Sequence, residues 1–507
     1  MEDVDTLRRL NPDVILHVFE HLRPQSGLRS LSTSCRWVRE ETMPVLFRRC
    51  RATVARPLCA ERFLPPPLWL HVCHLSLIDR CPDLVAMRGA PWKHRLRFSD
   101  DPLLCGIMDP AFLRSVLGAM PRLQSIYLSF ICREVHGIGW DTLEAILSTP
   151  LLRTLTVEQF LFSPRQTPTA VSIESLASLT TFQFVHAALR SELCRYPSQE
   201  GVLGLVITKL RPTLESLLLP SEVTPFGTLA DNQWPRLTEL RLMGVLHLNP
   251  DTHTPFVTLF AGMPKLRVLS LELSLPKGGD RQVLQLWPKN HEARFPWPDL
   301  EDLTVSFPSP DDRIYSHLPP TMRCLSLRCT PHHCFYMWQS RKLSRIESPI
   351  THASEMLEIL SQIEAPRLEY LQVEYCADAA EDDLLRHMTQ RCSQLRSMEI
   401  HCIRPYNRSS LSDTDLALHL AKLSNLSTLR AYIDSEHASQ FSALRQAAAV
   451  LACKLARPDV RLWLLWIDAH SAVWYPFRLV AVQDIDEDVR AEIDPRDHDG
   501  VPVFPFA

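Results

Sequence analysis

The chain has 507 residues and a formal net charge of -4, and 46% of its residues are hydrophobic. This length predicts roughly three domains, and the apolar content is ample for a core. The near-neutral charge gives no basis for nucleic-acid binding through bulk electrostatics. Glycine is scarce, with 14 residues, against a usual share of about 7%. Because phosphate loops, dinucleotide fingerprints and nucleophile elbows need glycine at fixed offsets, we expect neither an enzyme nor a cofactor.

The termini and cysteines indicate a reducing compartment. The first five residues, Met-Glu-Asp-Val-Asp, are acidic and unlike a secretory signal. No apolar run approaches the roughly 18–20 residues needed to span a bilayer. The 15 cysteines are odd in number and lack paired spacing, so we interpret them as reduced thiols. We expect a cytoplasmic or nuclear protein, or both, without a membrane or nucleic-acid partner.

The first fifty residues carry the signals of three short helices. Asn11 is a capping residue, Pro12 suits the first helical position, and Asp13 complements the positive end of the helix dipole. Apolar residues follow at mostly helical spacing: Ile15, Leu16, Val18, Phe19, Leu22, Leu28, Leu31 and Cys35, then Trp37, Val38, Val45, Leu46 and Phe47. About forty residues cannot bury this much apolar surface alone. The segment is therefore either a cap on the following domain or a docking module for another protein.

The order of residues in this segment resembles the F-box, the helical module that docks on the Skp adaptor of cullin-RING ubiquitin ligases. The family pattern is LPxEIxxxIFxxL, a leucine pair, Cys-Arg-x-Trp and a closing Leu-Trp/Phe-Arg. Its elements correspond here to residues 12–22, 28–31, 35–37 and 46–48. The match looks especially like fungal F-box proteins and covers roughly a tenth of the chain.

Two positions depart from the family pattern. Asn11 stands where leucine usually precedes the proline, and Val14 replaces the usual acid. The resemblance implies a set of residues that either face the adaptor or form the core of the module, and the sequence does not divide them between these roles. They are Pro12, Ile15, Leu16, Val18, Phe19, Leu22, Leu28, Leu31 and Trp37.

One phrase, Leu-x-x-Leu-x-Leu, recurs from about residue 120 onward. Its copies, counting apolar substitutes, begin at Leu123, Leu152, Leu179, Leu214, Leu237, Leu266, Leu300, Met322, Leu368 and Leu395, with weaker copies at Leu343 and Leu426 and an earlier one at Val72. The copies are about 28 residues apart on average, and both phrase and period are typical of leucine-rich repeats.

Each copy predicts a short strand with the residues at offsets three and five pointing inward. One such unit cannot cover its own apolar face, so neighbouring units stack. We therefore predict an α/β chain in which a three-helix F-box module precedes a leucine-rich repeat solenoid, an irregular horseshoe. The uneven spacing leaves open a general α/β domain whose strands carry leucine phrases.

The spacers between copies contain helical stretches, predicted at 140–147, 382–391 and 413–422. Near the C-terminus, Arg461–Ile467 predicts a last buried strand, followed by an aromatic cap. We divide the chain into a flexible N-terminus, the helical module, a linker rich in proline and arginine, the repeat solenoid, and a C-terminal cap with an acidic tail. The respective bounds are 1–9, 10–50, 51–66, 67–460 and 461–507.

Two polar groups are candidate sites of chemistry. The densest group of soft ligands is Cys324, Cys329, His332, His333 and Cys334. Its C-x4-C spacing fits a zinc knuckle poorly, so we interpret it as a repeat strand with a polar turn and predict no metal site. His136 lies near Asp141, but without a recognisable nucleophile, and we interpret both as surface residues.

The outward positions of the repeat strands are the candidates for binding a target protein, because solenoid faces commonly bind partners. Their charges are mixed, so no ligand class follows. They are Tyr127, Glu158, Arg241, Met243, Glu272, Arg328, Gln372, Glu374, Glu399, His401, Arg430 and Tyr432.

Together these observations favour a substrate receptor of an SCF-type ubiquitin ligase. It would dock on a Skp adaptor, and through it on cullin, and hold an unknown protein substrate by proximity rather than by chemistry of its own. A leucine-rich repeat scaffold outside any ligase, whose helices only cap the solenoid, is the alternative. A hydrolytic enzyme lacks a supporting motif.

Overall fold

The computed structural model describes most of the chain. The described residues are 11–22, 27–59, 61, 63–81, 98–101, 103–131, 136–186, 193, 195–246, 254–279, 281–333, 346–404, 411–433, 441–455, 460–467, 472–480, 490–493 and 501–502. The chain forms two compact units, the first over Met1–Ser216 and the second over Leu217–Ala507. Within the described ranges, no helix is long and apolar enough to cross a membrane.

Helices and strands alternate along both units. The helices are α1 (Pro12–Leu22), α2 (Gly27–Ser32), α3 (Arg36–Leu46), α4 (Pro110–Gly118), α5 (Trp140–Leu147), α6 (Ser198–Leu210), α7 (Phe226–Asp231), α8 (Phe256–Leu259), α9 (Ala353–Ser361), α10 (Glu381–Arg391), α11 (Asp413–Leu420) and α12 (Phe441–Leu455). Short 3-10 turns lie at Pro66–His71, Pro168–Ala170, Ser221–Val223, Arg281–Leu284 and Arg313–His317.

The strands of the first unit are β1 (Arg49–Val54), β2 (His74–Asp79), β3 (Ser125–Phe130), β4 (Gly137–Ile138), β5 (Thr154–Glu158), β6 (Leu161–Phe162) and β7 (Thr181–Val185), and β8 (Ser216–Pro220) begins at its last residue. Those of the second unit are β9 (Glu239–Val245), β10 (Val268–Pro276), β11 (Asp302–Ser306), β12 (Cys324–Arg328), β13 (Ile346–Glu347), β14 (Tyr370–Cys376), β15 (Ser397–Ile403), β16 (Thr428–Ile433), β17 (Arg461–Ile467), β18 (Ala472–Val480), β19 (Arg490–Ile493) and β20 (Val501–Pro502).

The first unit contains a parallel sheet in the order β1, β2, β3, β5 and β7. Its register places the same offset of each repeat side by side, so that Leu75, Ile126, Leu155 and Phe182 form one buried row across β2, β3, β5 and β7. Burying each large apolar side chain contributes roughly 1.5–3 kcal/mol. This parallel sheet with its stacked apolar rows, which we call the ladder, is therefore stabilised because each strand covers the apolar side chains of its neighbours.

The second unit repeats this arrangement over eight parallel strands, β9, β10, β11, β12, β14, β15, β16 and β17. Two buried rows run across it. One is Leu240, Leu269, Leu303, Leu325, Leu371, Met398, Leu429 and Leu462, and the other is Leu242, Leu271, Val305, Leu327, Val373, Ile400, Ala431 and Leu464. The predicted α/β class is confirmed, and the strands form a long parallel sheet.

Two segments differ from their sequence-based assignment. β1 lies partly within the range assigned to the linker, and it pairs with β2 over residues 49–54. The weak copy beginning at Leu343 does not supply a ladder strand, because β12 pairs directly with β14. Its described end, β13, instead pairs antiparallel with Leu275 and Pro276 of β10.

The spacers connect successive ladder strands through α-helices or short 3-10 turns, which gives the long crossovers that parallel pairing needs. The helix predicted at 140–147 coincides with α5, and the other two predictions match α10 and α11 within two residues. Local signals fix the starts. In α4, Pro110 occupies the first turn and the Asp109 carboxylate accepts the backbone N–H of Phe112 at 2.6 Å, which satisfies a donor that the helix leaves open.

The parallel ladder ends at β17, where the pairing changes direction. β18 runs antiparallel to β17 and brings Trp474 opposite Leu465. β19 and β20, which fall in the range assigned to the acidic tail, both pair with β18. Most of the acidic residues of that range, at 484–488, 494, 497 and 499, lie outside the described residues.

The ladder predicts a specific pattern of stability. Leu371→Ala removes a fully buried side chain from the middle of the second unit, so we expect a loss of about 2–5 kcal/mol in unfolding free energy. Leu418→Ala makes the same change at a helical position that is 48% exposed, where we expect less than about 0.5 kcal/mol. Urea unfolding of the full chain measures both, and equal losses at the two positions contradict the ladder.

Candidate protein-docking surfaces

Helices α1 to α3 form a small module with its own core. Ile15, Phe19, Leu28 and Val45 are buried against one another. Four half-buried side chains pack around them: Leu22, Leu31, Trp37 and Leu46. At its N-terminus, α1 begins where the sequence predicts, because the Asn11 side chain accepts the backbone N–H of Asp13 at 2.9 Å.

The first helix of this module leaves apolar side chains uncovered. Val14, Leu16 and Val18 are 48%, 44% and 43% exposed. Successive helical residues are rotated by about 100°, so Val14 and Val18 lie on one side of the buried line through Ile15 and Phe19, and Leu16 lies on the other. We call these three exposed residues the α1 flanks. Only the middle of the wide apolar stripe is covered by the module itself.

The structure thus divides the residues that the F-box resemblance implies. Ile15, Phe19 and Leu28 are core residues, and Leu22, Leu31 and Trp37 support that core. Leu16 and Val18 remain available at the surface, while Pro12 is the first residue of α1. Sequence analysis did not name Val14 as a contact residue, although its four-residue spacing from Val18 puts the two on one side of the helix.

The candidate target-binding residues fall into two classes. Seven are half-buried on their strands: Tyr127, Glu158, Arg241, Met243, Glu272, Arg328 and Arg430. Five are buried, which differs from the expectation that outward positions face solvent: Gln372, Glu374, Glu399, His401 and Tyr432. Nearly every residue of β14 and β15 is buried, so both faces of these strands are covered.

A turn after β12 covers the outward face of β14, which is the face opposite the buried leucine rows and which we call the second face. The Glu374 carboxylate accepts the backbone N–H of Cys329 at 2.9 Å and that of His333 at 2.7 Å. His332 in the same turn places Nε2 2.9 Å from Nδ1 of His401 and 3.7 Å from Oε1 of Glu374. Two backbone donors thus satisfy a carboxylate that is otherwise costly to bury.

Glu399 is the second buried carboxylate of this region. Its Oε1 lies 2.9 Å from Nε2 of His401, and its Oε2 lies 3.5 Å from Nη1 of Arg430. The side-chain amide of Gln372 donates to Glu399 and accepts from the hydroxyl of Ser326. We call the residues Ser326, His332, Gln372, Glu374, Glu399, His401 and Arg430 the strand-face network.

The pKa values of the two carboxylates of the network shift in opposite directions. Burial raises the pKa of Glu374 above its ordinary value. Burial acts in the same direction on Glu399, but the hydrogen bond and charge of His401 and the charge of Arg430 bring the pKa of Glu399 below its ordinary value. Burial lowers the pKa of His332 well below 6.5, and the neighbouring His401 lowers it further. The network therefore favours the anionic form of Glu399 and the neutral form of His332.

Aromatic side chains close the network toward the C-terminus. The guanidinium of Arg430 lies 5.9 Å from the ring centre of Trp463 and 5.8 Å from that of Trp474, distances at which a cation attracts an aromatic face. Tyr432 packs with Trp474 in an apolar cluster that also contains Ile467. The second face of the last strands is therefore an interior rather than an open binding surface.

Half-buried candidate residues remain on β9, β10 and β12 of the second unit. Arg328 Nη2 pairs with Glu272 Oε2 at 2.6 Å, and Arg241 Nε pairs with Glu239 Oε1 at 2.5 Å. Met243 lies half-buried one strand away from Glu272, its register partner. In the first unit, Tyr127 donates to Glu158 on the adjacent strand, and burial raises the pKa of Glu158. These half-buried residues are the candidates that retain solvent access.

The described residues of the soft-ligand group near β12 make structural contacts with the neighbouring strands and turns. Cys324 lies on β12, and burial raises the pKa of its thiol to about 11. His332 and His333 take part in the contacts with Glu374 and Ser348, and Cys329 donates to the carbonyl of Pro349. Cys334 lies outside the described residues. Sequence analysis missed that His332 is a structural partner of β14 and β15, because strand register is not visible in one turn.

Comparisons with known proteins give matches only among solved structures. No family model matches the chain, and no curated protein matches it. Among solved structures, it is similar to the crystal structure of the TLR13–ssRNA13 complex, with a TM-score of 0.30 and 13% identity, over 78% of this chain and 55% of that chain. The chain thus spans about half the length of that structure. The fold is assigned here from the strand register and the repeated leucine phrase.

The strand-face network predicts acid sensitivity of the second unit. Because the folded state keeps the pKa of His332 below its ordinary value of 6.5, the unfolded state binds the proton first as the pH falls. The contribution of His332 to the unfolding free energy is therefore fully present above pH about 6.5 and decreases below that pH. We expect the slope of unfolding free energy against pH to be smaller in His332→Asn. His317→Gln, a change at an exposed position, keeps the wild-type slope, and an unchanged slope in His332→Asn contradicts this account.

Proposed function

We propose that this protein is a substrate-recognition subunit of an SCF-type ubiquitin ligase. Helices α1 to α3 dock on a Skp adaptor, and the repeat strands hold a target protein. The observation that carries the proposal is the uncovered apolar surface of the α1 flanks, in a segment whose residue order resembles an F-box. We also propose that the repeats form a leucine-rich repeat solenoid.

The exposure of the α1 flanks supports docking rather than capping. A helix that only caps a neighbouring domain buries its apolar stripe against that domain, because exposed apolar area is unfavourable in water. In α1, Ile15 and Phe19 are buried, while Leu16 and Val18 remain more than two-fifths exposed. A partner groove that covers both flanks gains apolar contacts around a preformed helix, the usual way in which grooves bind amphipathic helices.

Target binding is assigned to the half-buried strand residues. This set contains three charged residues and one half-buried methionine: Arg241, Glu272, Arg328 and Met243. Arginine and methionine are enriched at protein interfaces. The buried members of the strand-face network act indirectly, because the Ser326–Gln372 hydrogen bond joins β12, which carries Arg328, to β14. Catalysis in the complex is positional: the receptor raises the effective concentration of the target near the ubiquitin-charged enzyme.

The α1 flanks give a direct test. Leu16→Asp and Val18→Asp place a charge on the exposed sides of α1 without entering its core. We expect at least a roughly tenfold loss of adaptor co-purification from each, because a charge at a desolvated contact costs more than about 1.4 kcal/mol. Affinity purification of the tagged full chain, with the Skp adaptor quantified by mass spectrometry, measures the loss.

Two controls accompany this test. Leu151→Asp changes another leucine that is 49% exposed, and it should hold the adaptor as wild type does. The variants should also keep the wild-type circular dichroism spectrum, whereas Phe19→Asp is uninformative because it breaks the module core. Adaptor recovery that is equal in wild type and Leu16→Asp, or absent from wild type, contradicts the proposal and favours the capping scaffold.

A further inference from the structure

The first unit contains a compact group of metal-ligating side chains from three separate segments. Asp79 ends β2 and Cys81 follows it, Cys105 precedes α4, and His136 precedes β4. One ligand atom from each of these residues lies within 4.8 Å of every other. We propose that Asp79, Cys81, Cys105 and His136 bind a zinc ion that fastens these segments together, independently of the proposed ligase function.

The distances are close to those of a zinc tetrahedron. Zinc–sulfur bonds of about 2.3 Å and zinc–nitrogen or zinc–oxygen bonds of about 2.0–2.2 Å place the ligand atoms about 3.3–3.8 Å apart. Here Oδ2 of Asp79 lies 2.9 Å from Sγ of Cys105 and 3.5 Å from Nδ1 of His136. Rotamer adjustments of about 1 Å are enough to bring four atoms already within 4.8 Å onto one ion.

The burial of the group favours a cation. Asp79, His136 and Cys81 are 0%, 2% and 3% exposed, and Cys105 is half-buried. A carboxylate without solvent is costly unless opposite charge is near. A bound dication places positive charge beside the Asp79 carboxylate, and both thiols release their protons when it binds.

Further contacts orient the ligands. The Oδ1 atom of Asp79 accepts the backbone N–H of Cys81 at 2.7 Å, which leaves Oδ2 toward Cys105 and His136. The imidazole of His136 lies 4.8 Å from the ring of Phe130 and 6.0 Å from that of Phe160, measured between ring centres. Such second contacts fix ligand geometry before the metal binds.

The backbone brings the loops of Cys105 and His136 together. Cys105 N–H donates to the Gly137 carbonyl at 2.8 Å, and Gly137 N–H donates to the Leu103 carbonyl at 2.7 Å. A Cβ at Gly137 would lie 2.9 Å from the Leu103 oxygen, and one at Gly106 only 1.9 Å from the Phe98 oxygen. In a chain with so few glycines, two lie directly beside proposed ligands where no side chain fits.

The donor set selects zinc over hard cations. Magnesium and calcium prefer oxygen ligands, whereas two thiolates, one imidazole and one carboxylate match tetrahedral zinc. Four protein ligands leave no open position, which is the arrangement of a structural site. His136, expected at the surface from sequence, is buried here, so that expectation is wrong. The sequence interpretation predicted no metal because these ligands are scattered over more than fifty residues.

Metal analysis of the purified full chain tests the site. We expect about one zinc per chain after growth with zinc and removal of loosely bound metal by gel filtration. Cys81→Ser and His136→Ala should each lose roughly tenfold or more in bound zinc, since each removes a ligand. Cys453→Ser, a change at an exposed cysteine of α12, should retain the wild-type content.

A cobalt titration covers the case in which the ligand variants fail to fold. Wild-type chain stripped of zinc and titrated with cobalt(II) should develop the visible absorption of a tetrahedral thiolate complex, saturating at one equivalent. A wild-type chain without zinc and without this absorption overturns the proposal. Zinc that stays bound in both ligand variants overturns it too, as does a Cys81–Cys105 disulfide found by mass spectrometry in protein purified anaerobically with reductant.

Discussion

The structure depends on the in-register stacking of inward apolar residues between neighbouring parallel strands. No repeat can bury its own leucines, so each strand relies on the next one to cover them. In the second unit, this dependence runs from Leu240 on β9 to Leu462 on β17 with every member of the row buried. The side chains of the opposite face are thereby held at fixed positions, which is the condition for building either a polar network or a binding surface there.

The second face of the ladder serves two purposes in different places. On β14 and β15 it is an interior, where Glu374 and Glu399 are buried among histidines, an arginine and backbone donors. On β9 to β12 it keeps half-buried residues such as Arg241 and Met243. Buried polar networks tolerate little change, because each member that loses its partner leaves a desolvated group. Variation in binding specificity is therefore expected on the strands before β14.

Much of the fold could be predicted from the sequence, because the leucine phrase specifies both strand and facing. The inward positions at Leu325 and Leu327 and the helix at Trp140–Leu147 follow from local periodicity alone. The closure of the second face did not, since it arises when a turn containing His332 meets strands more than forty residues later. The same holds for Asp79 and His136, whose proximity depends on loop paths. For the N-terminal module, periodicity identified the apolar stripe, but only the packing of Phe19 and Leu28 showed which part stays uncovered.

The central claim is that the α1 flanks are left open for a foreign subunit. Hydrogen–deuterium exchange of the full chain, with and without purified Skp adaptor, tests it most directly. The account predicts slower exchange confined to peptides within Pro12–Leu46 when the adaptor is added, with the repeat strands unchanged. Unchanged exchange across these helices at saturating adaptor, or protection located only on the repeat strands, would contradict it.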